Sequence, residues 1–277
     1  MKRVLLLGLV IILALGAFAL VGCGGSGDAV VDDAVVDSDT PTLPAEVQAI
    51  ADRGVLRVGV KSDVPGFGLL NQVNNEYEGL EIDMARALAK QIIGDENAVE
   101  FTPVTADTRG TLLDNGQIDM VIATFTIKPD RLEKWNFTEP YYTDAVGLLV
   151  NKDAGIASIA DLDGKKIGVA LGATSKDAVE AAGAEDGYTF EFSEYASYPE
   201  INTALAAGQI DAFCVDKSIL RGYLNADRVL LDDEFSPQDY GIATKLTNLD
   251  LATYVNDFIK KIKGDGTLSK WIDANGI

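Results

Sequence analysis

Two cations, Lys61 and Arg109, stand where the chain gives them little local reason to be, and Arg131 and Asp216 are two further charges that could do chemistry. Arg109 falls in the first turn of a helix predicted to run to Asn115, and a cation there opposes the helix dipole. Arg131 follows Pro129-Asp130 at a second helix start, Lys61 follows the strand Arg57-Val-Gly-Val60, and Asp216 follows the apolar strand Ala212–Val215. A local conflict of this kind is what functional residues tend to show. Thr174 ends the turn Leu171-Gly-Ala-Thr174 and opens a helix, where its hydroxyl and backbone N–H could meet an anion. Such groups recognise carboxylates and ammonium ions, because each charge needs an opposite partner once water is excluded. On the residues alone a solvated Arg131 paired with Asp130 or Glu133 is the better reading, and capping the helix from Lys217 is a role that aspartate fills often at the place of Asp216.

Much other chemistry is excluded. The chain contains no histidine, so the usual general base and the commonest zinc ligand are missing. Neither a phosphate-binding Gly-x4-Gly-Lys-Ser/Thr loop nor a dinucleotide Gly-x-Gly-x-x-Gly turn occurs, and the aspartates lack the spacing of a calcium-binding EF-hand loop. No cofactor and no metal are therefore expected. A formal charge of −20 argues against a nucleic-acid partner. Cys214, in the run Ile210-Asp-Ala-Phe-Cys-Val215, reads as a small buried hydrophobe.

The elements that must position these residues repeat. Arg57-Val-Gly-Val60 is answered by Lys166-Ile-Gly-Val169, and Gly116-Gln-Ile-Asp119 by Gly208-Gln-Ile-Asp211, in the same order. Each first member reads as a strand, and each second as a glycine helix stop leading into another strand. Glu81–Ile92 places Ile82, Ala85, Leu88, Ala89 and Ile92 on one helical face, with Glu81 and Asp83 in the dipole-favoured first turn. Ile118–Ala123 and Ala145–Val150 are short and apolar enough to be buried strands. Alternation of this kind predicts an α/β fold of two similar lobes, with helices over mostly parallel sheets and a cleft between the lobes.

Ahead of the body lies a leader. Lys2 and Arg3 precede an apolar stretch from Val4 to Val21, and Leu20-Val21-Gly22-Cys23 closes it. A basic start, an apolar core and a small residue before the cut form an export signal, and the ending resembles the lipobox that places a lipidated cysteine first in the mature chain. The resemblance implies lipidation of Cys23 and a body anchored to the outer face of a membrane. An uncleaved anchor helix is the alternative. The predicted division is a signal peptide over 1–22, an acidic tether over 23–43, a first lobe from 44–150 and 238–277, and a second lobe over 151–237.

Gly79-Leu-Glu-Ile-Asp-Met-Ala-Arg-Ala-Leu-Ala-Lys-Gln-Ile92 resembles the signature segment of the solute-binding proteins of polar amino-acid ABC uptake systems, extracellular solute-binding proteins family 3. Thr126-Ile-Lys-Pro-Asp-Arg131, Phe137-Thr-Glu-Pro-Tyr-Tyr142, Asp161-Leu-Asp-Gly164 and Tyr240-Gly-Ile242 extend the likeness over the whole body. Val58–Pro65, Thr108-Arg-Gly110 and Ala123–Ile127 are most similar to its aspartate/glutamate-binding branch, which includes major cell-binding factor. The resemblance implies a type II periplasmic-binding-protein-like fold, two lobes joined by two crossing strands, that closes as a monomer on one amino acid and serves ABC permease subunits.

It also implies roles. Arg131, aided by Thr126, would grip the α-carboxylate through two parallel hydrogen bonds, while Asp216 and the carbonyl of Thr124 would take the ammonium. Lys61 and Arg109 would set specificity, Thr174 and Tyr198 would reach a carboxylate from the second lobe, and Phe67 and Phe125 would wall the cleft; an aromatic packed under the helix start at Pro199 is the alternative for Tyr198, and a place in the core the alternative for both phenylalanines. Lys61, Arg109 and Arg131 against Asp216 leave excess positive charge, with Asp63 nearby as a partial offset, so the expected ligand is L-aspartate or L-glutamate. Two rivals share the framework: an exported dehydratase of cyclic prephenate-like acids, which needs a poised carboxylic acid, and an adhesin.

Overall fold

The computed structural model describes residues 43–277, so the leader, Cys23 and the tether up to residue 42 lie outside the described residues. Within the body two mixed sheets carry the cores. In the first, the strands run in the order Val99–Pro103, Leu56–Val60, Met120–Ile122, Ala243–Lys245, Trp135–Phe137. Leu56–Val60 is parallel to both neighbours, whereas Ala243–Lys245 is antiparallel to both of its own. In the second sheet Lys166–Ala170 lies parallel between Glu191–Tyr195 and Ala212–Asp216, and the long strand Tyr142–Asn151 then runs antiparallel to Ala212–Asp216. Each sheet thus has a parallel centre to which antiparallel strands are added, rather than being mostly parallel throughout. Of the added strands, Tyr142–Asn151 itself passes between the lobes, and Ala243–Lys245 follows a segment that does.

The sequence repeat has a physical basis. In the first lobe the Asp119 carboxylate accepts the backbone N–H of Arg57 at 2.8 Å, and in the second Asp211 accepts that of Lys166 at 2.9 Å. The aspartate of each Gly-Gln-Ile-Asp therefore fixes the start of the strand that opens its lobe. The glycine within each opening strand is equally matched, since a Cβ at Gly59 would sit 2.6 Å from the Ile118 side chain and one at Gly168 would sit 2.4 Å from Ile210. Isoleucine and glycine thus interlock in both halves.

Two strands cross between the lobes. Tyr142–Asn151 pairs first with Phe235–Tyr240 and then, through Val146–Val150, with Ala212–Asp216. Phe235–Tyr240 leads through Gly241 into Ala243–Lys245 of the first sheet. The apolar run Ala145–Val150, assigned from sequence to the first lobe, therefore sits in the second sheet, and the chain leaves the first lobe nearer Tyr142. A fully buried strand reads the same whichever sheet receives it. The helices Leu249–Gly264 and Thr267–Asn275 pack through Leu251, Val255, Ile259 and Leu268 into the core that holds Val58 and Ile122. Cys214 is buried in the second lobe, where burial raises its thiol pKa.

Candidate functional site

The first lobe carries its cations on loops and short helices at the ends of parallel strands. Arg131 lies in the one-turn helix Pro129–Leu132, whose start is set by proline. Its Nη1 donates to the Thr126 carbonyl at 2.8 Å, and its Nη2 donates to the Gly172 carbonyl of the second lobe at 3.1 Å. Arg109, in the helix Thr108–Asp114, donates through Nη1 to the carbonyls of Ala123 at 2.7 Å and Thr124 at 3.2 Å. Both guanidinium groups lie over the Phe125 ring, at 4.0 Å for Arg109 and 4.7 Å for Arg131. The Phe125 ring attracts each guanidinium and so offsets part of their mutual repulsion. Burial and the neighbouring Arg109 push the Arg131 pKa down to about 9.

Lys61 is only 2 % exposed. Its Nζ pairs with Asp63 at 3.0 Å, reaches the Val104 carbonyl at 3.4 Å and lies 4.4 Å from the centre of the Tyr198 ring. Tyr198 comes from the second lobe, at the head of the helix Tyr198–Ala206, so this corner is closed by both halves. Burial holds the Lys61 pKa below the ordinary lysine range, with Asp63 opposing the shift.

Asp216 sits at the end of its strand and precedes the helix Lys217–Arg221, yet its side chain makes no capping hydrogen bond. Instead Oδ2 accepts the Tyr240 hydroxyl at 2.5 Å, and the buried Oδ1 has no hydrogen-bond partner among the described residues. Burial raises its pKa to about 7, with the Tyr240 hydroxyl opposing. A helix cap would have tied the carboxylate to the backbone; here an oxygen is left bare inside the protein, where an unpaired acceptor is unfavourable.

Thr126 and Thr174, from opposite lobes, both donate their hydroxyls to Oε1 of Gln238, at 2.8 and 2.7 Å. Gln238 lies on a crossing strand and is buried, so it clasps both lobes at the hinge. Tyr223 adds a second bridge by donating to the Asp63 carbonyl at 2.7 Å. A Cβ at Gly172 would come within 2.8 Å of Asp107 Cα, so the lobes meet backbone to backbone there and glycine is required. Phe125 stands within the cation cluster, whereas Phe67 packs in the core against Tyr142 and Tyr240.

Glu81 is the largest addition to the residues singled out from sequence. It is wholly buried, and its Oε1 accepts the Thr124 N–H at 2.5 Å and the Tyr141 hydroxyl at 2.6 Å. Thr124 has φ 43°, a strained conformation for a β-branched residue, and it is held by Glu81 on its N–H and by Arg109 on its carbonyl. The Thr124 carbonyl, expected to face the ligand's ammonium, thus already accepts Arg109. A signal for Glu81 was present: it precedes Ala85, Leu88, Ala89 and Ile92 at helical spacing and so lies on the buried face. The first-turn rule for acidic residues explained it too easily. Gln238 carried no local signal, and Tyr240 stood out only through the motif Tyr240-Gly-Ile242, since only the crossing of the strands gives them partners.

Among the described residues no three His, Cys, Asp or Glu side chains are grouped to hold a metal ion. The arrangement instead presents buried guanidinium and ammonium groups from one lobe to a buried carboxylate from the other.

A two-lobed α/β body with crossing strands and buried charges at the junction defines a solute receptor of the periplasmic-binding type. Residues 56–274 match the profile of bacterial extracellular solute-binding proteins, family 3, and the chain belongs to that family. It is 36 % identical over 98 % of both chains to the ABC transporter glutamine-binding protein GlnH of Bacillus subtilis. It is 30 % identical to the glutamate-binding protein GluB of Corynebacterium efficiens, covering 82 % of this chain and 80 % of that one. Among solved structures, the ancestral amino acid-binding protein AncCDT-1, a precursor of cyclohexadienyl dehydratase, matches with a TM-score of 0.73 at 32 % identity over 82 % of this chain and 98 % of that one.

Proposed function

We propose that the protein is the receptor of an amino-acid ABC uptake system and encloses one L-α-amino acid between its lobes, with L-glutamate or L-aspartate as the ligand. The observation that carries this reading is the convergence of Lys61, Arg109 and Arg131, all buried, opposite Asp216 with its unpaired Oδ1. Arg131 meets the α-carboxylate, Asp216 the ammonium, and the corner of Lys61, Arg109 and Tyr198 the side-chain carboxylate; Thr126 and Thr174 supply hydroxyls. Asp63 already offsets Lys61. Glutamine is the second reading, and Glu81 favours it, because an ionised Glu81 would bring three carboxylates against the three cations and leave no call for a ligand of net negative charge.

Calorimetry of the purified protein against the common amino acids tests the proposal. Binding of glutamate or aspartate, with arginine rejected, is the expected result; arginine bound more tightly than either acid would refute it. The relatives reported above are named as binding proteins, which supports a receptor over the dehydratase and adhesin readings. Delivery to permease subunits and lipid anchoring through Cys23 belong to the same proposal. Mass spectrometry of the membrane-extracted protein, which should show a diacylglyceryl adduct on Cys23, tests the anchor.

A further inference from the structure

Glu81 carries two donors on one oxygen and none on the other. Oε1 accepts Thr124 N–H and the Tyr141 hydroxyl, while the buried Oε2 has no hydrogen-bond partner among the described residues. A proton placed on Oε2 therefore removes the charge without disturbing either donor to Oε1. The charged and titratable groups that face Glu81 are Lys61, Arg109 and Tyr141 from the first lobe and Tyr198 from the second.

With an amino acid bound, the ionic pairs sort themselves. Asp63 matches Lys61, the α-carboxylate matches Arg131, and Asp216 matches the ammonium. What remains is Arg109, which neighbours Glu81 and, on the proposed placement of the ligand, would meet its side chain. Arg109 needs one anion, because an uncompensated buried charge is strongly unfavourable, and two adjoining carboxylates would repel each other.

We propose that Glu81 sets the side-chain charge that the site accepts: neutral Glu81 leaves Arg109 to be matched by a ligand carboxylate, and ionised Glu81 matches Arg109 itself and favours an amide. This inference rests on the amino-acid reading of the site. The proton that Glu81 gains or loses is exchanged with solvent. Burial raises the Glu81 pKa to about 7 against the opposing pull of its hydrogen bonds and of Lys61 and Arg109, so both forms are accessible near neutrality.

The test is the ratio of L-glutamate to L-glutamine affinity, measured by calorimetry on the full chain between about pH 6.5 and 8.5. Asp216 drops out of that ratio, because both ligands bring the same ammonium. The expected ratio falls in favour of glutamine by about tenfold per pH unit above neutrality. In Glu81→Gln the ratio should lose its pH dependence and stay at the acid-favouring value. A constant ratio in the unaltered protein overturns the inference, as does a Glu81→Gln protein that keeps the slope. A Glu81 that only braces Thr124 would weaken both ligands alike and leave the ratio unmoved. If Glu81→Gln does not fold, the unaltered protein decides alone. Binding of neither amino acid at any pH would refute the amino-acid reading itself, whereas binding of both with a flat ratio removes only the role of Glu81.

Discussion

Ligand binding should release a proton from Asp216. The pKa of this carboxyl is raised from 3.8 to about 7 by burial, so near neutral pH a large fraction of the ligand-free protein carries a proton there. An incoming ammonium needs the ionised form, and pairing with it lowers the pKa again. Below about pH 7, where Glu81 is already neutral, each unit of acidification should weaken binding of L-glutamate about tenfold, so that its affinity at pH 5 is roughly a hundredfold below that at pH 7. Calorimetry in buffers of differing ionisation enthalpy reads the effect directly as about one proton released per ligand on the acid side. The sign for stability follows from the same shift. A carboxyl whose folded pKa is raised stabilises the folded state at low pH, and that contribution is lost as pH rises towards 7. On the order of 4 kcal/mol is at stake in the ligand-free protein, from a shift of about three units at 1.36 kcal/mol each. Asp216→Asn should bind weakly and lose both the proton release and the acid-side slope. Affinity that stays level from pH 5 to 7, with no proton released, would refute the assignment of Asp216 to the ammonium.

Arg131→Met should weaken every amino acid by about 3–5 kcal/mol, the effect of leaving a buried carboxylate unpaired; normal calorimetric affinity in that variant would remove Arg131 from the site. Gln238→Leu deletes the acceptor shared by Thr126 and Thr174, so the closed state should weaken by about 1–3 kcal/mol, seen as lower affinity and a larger radius of gyration in solution scattering of the ligand-free protein. Asp211→Ala should lower the thermal midpoint, because it strands the N–H of Lys166 at the start of the strand that opens the second lobe, at about 1–3 kcal/mol; an unchanged midpoint would mean that water replaces the carboxylate.

The acidic preference read from sequence counted Lys61, Arg109 and Arg131 against Asp216. That count omitted Glu81, which the fold buries against Arg109 and Lys61, and it weighed Asp63 only as a partial offset, where the structure shows a 3.0 Å pair. On the inference drawn above, the choice between acid and amide would turn on the Glu81 proton rather than on a surplus of cations.

Sequence by itself determined the repeat and the alternation of strands and helices, because each is local. Period and turn chemistry act over a few residues, and the paired Arg57/Asp119 and Lys166/Asp211 contacts lie within one lobe and recur in both. The tertiary structure alone decided where the chain crosses, that Asp216 turns to Tyr240 rather than to its own helix, and that Gln238 joins Thr126 to Thr174. It also decided the protonation balance of Glu81 and Asp216. Burial and the charges around a carboxyl fix its pKa, and residues distant in the chain supply both, so no pattern along the chain encodes it.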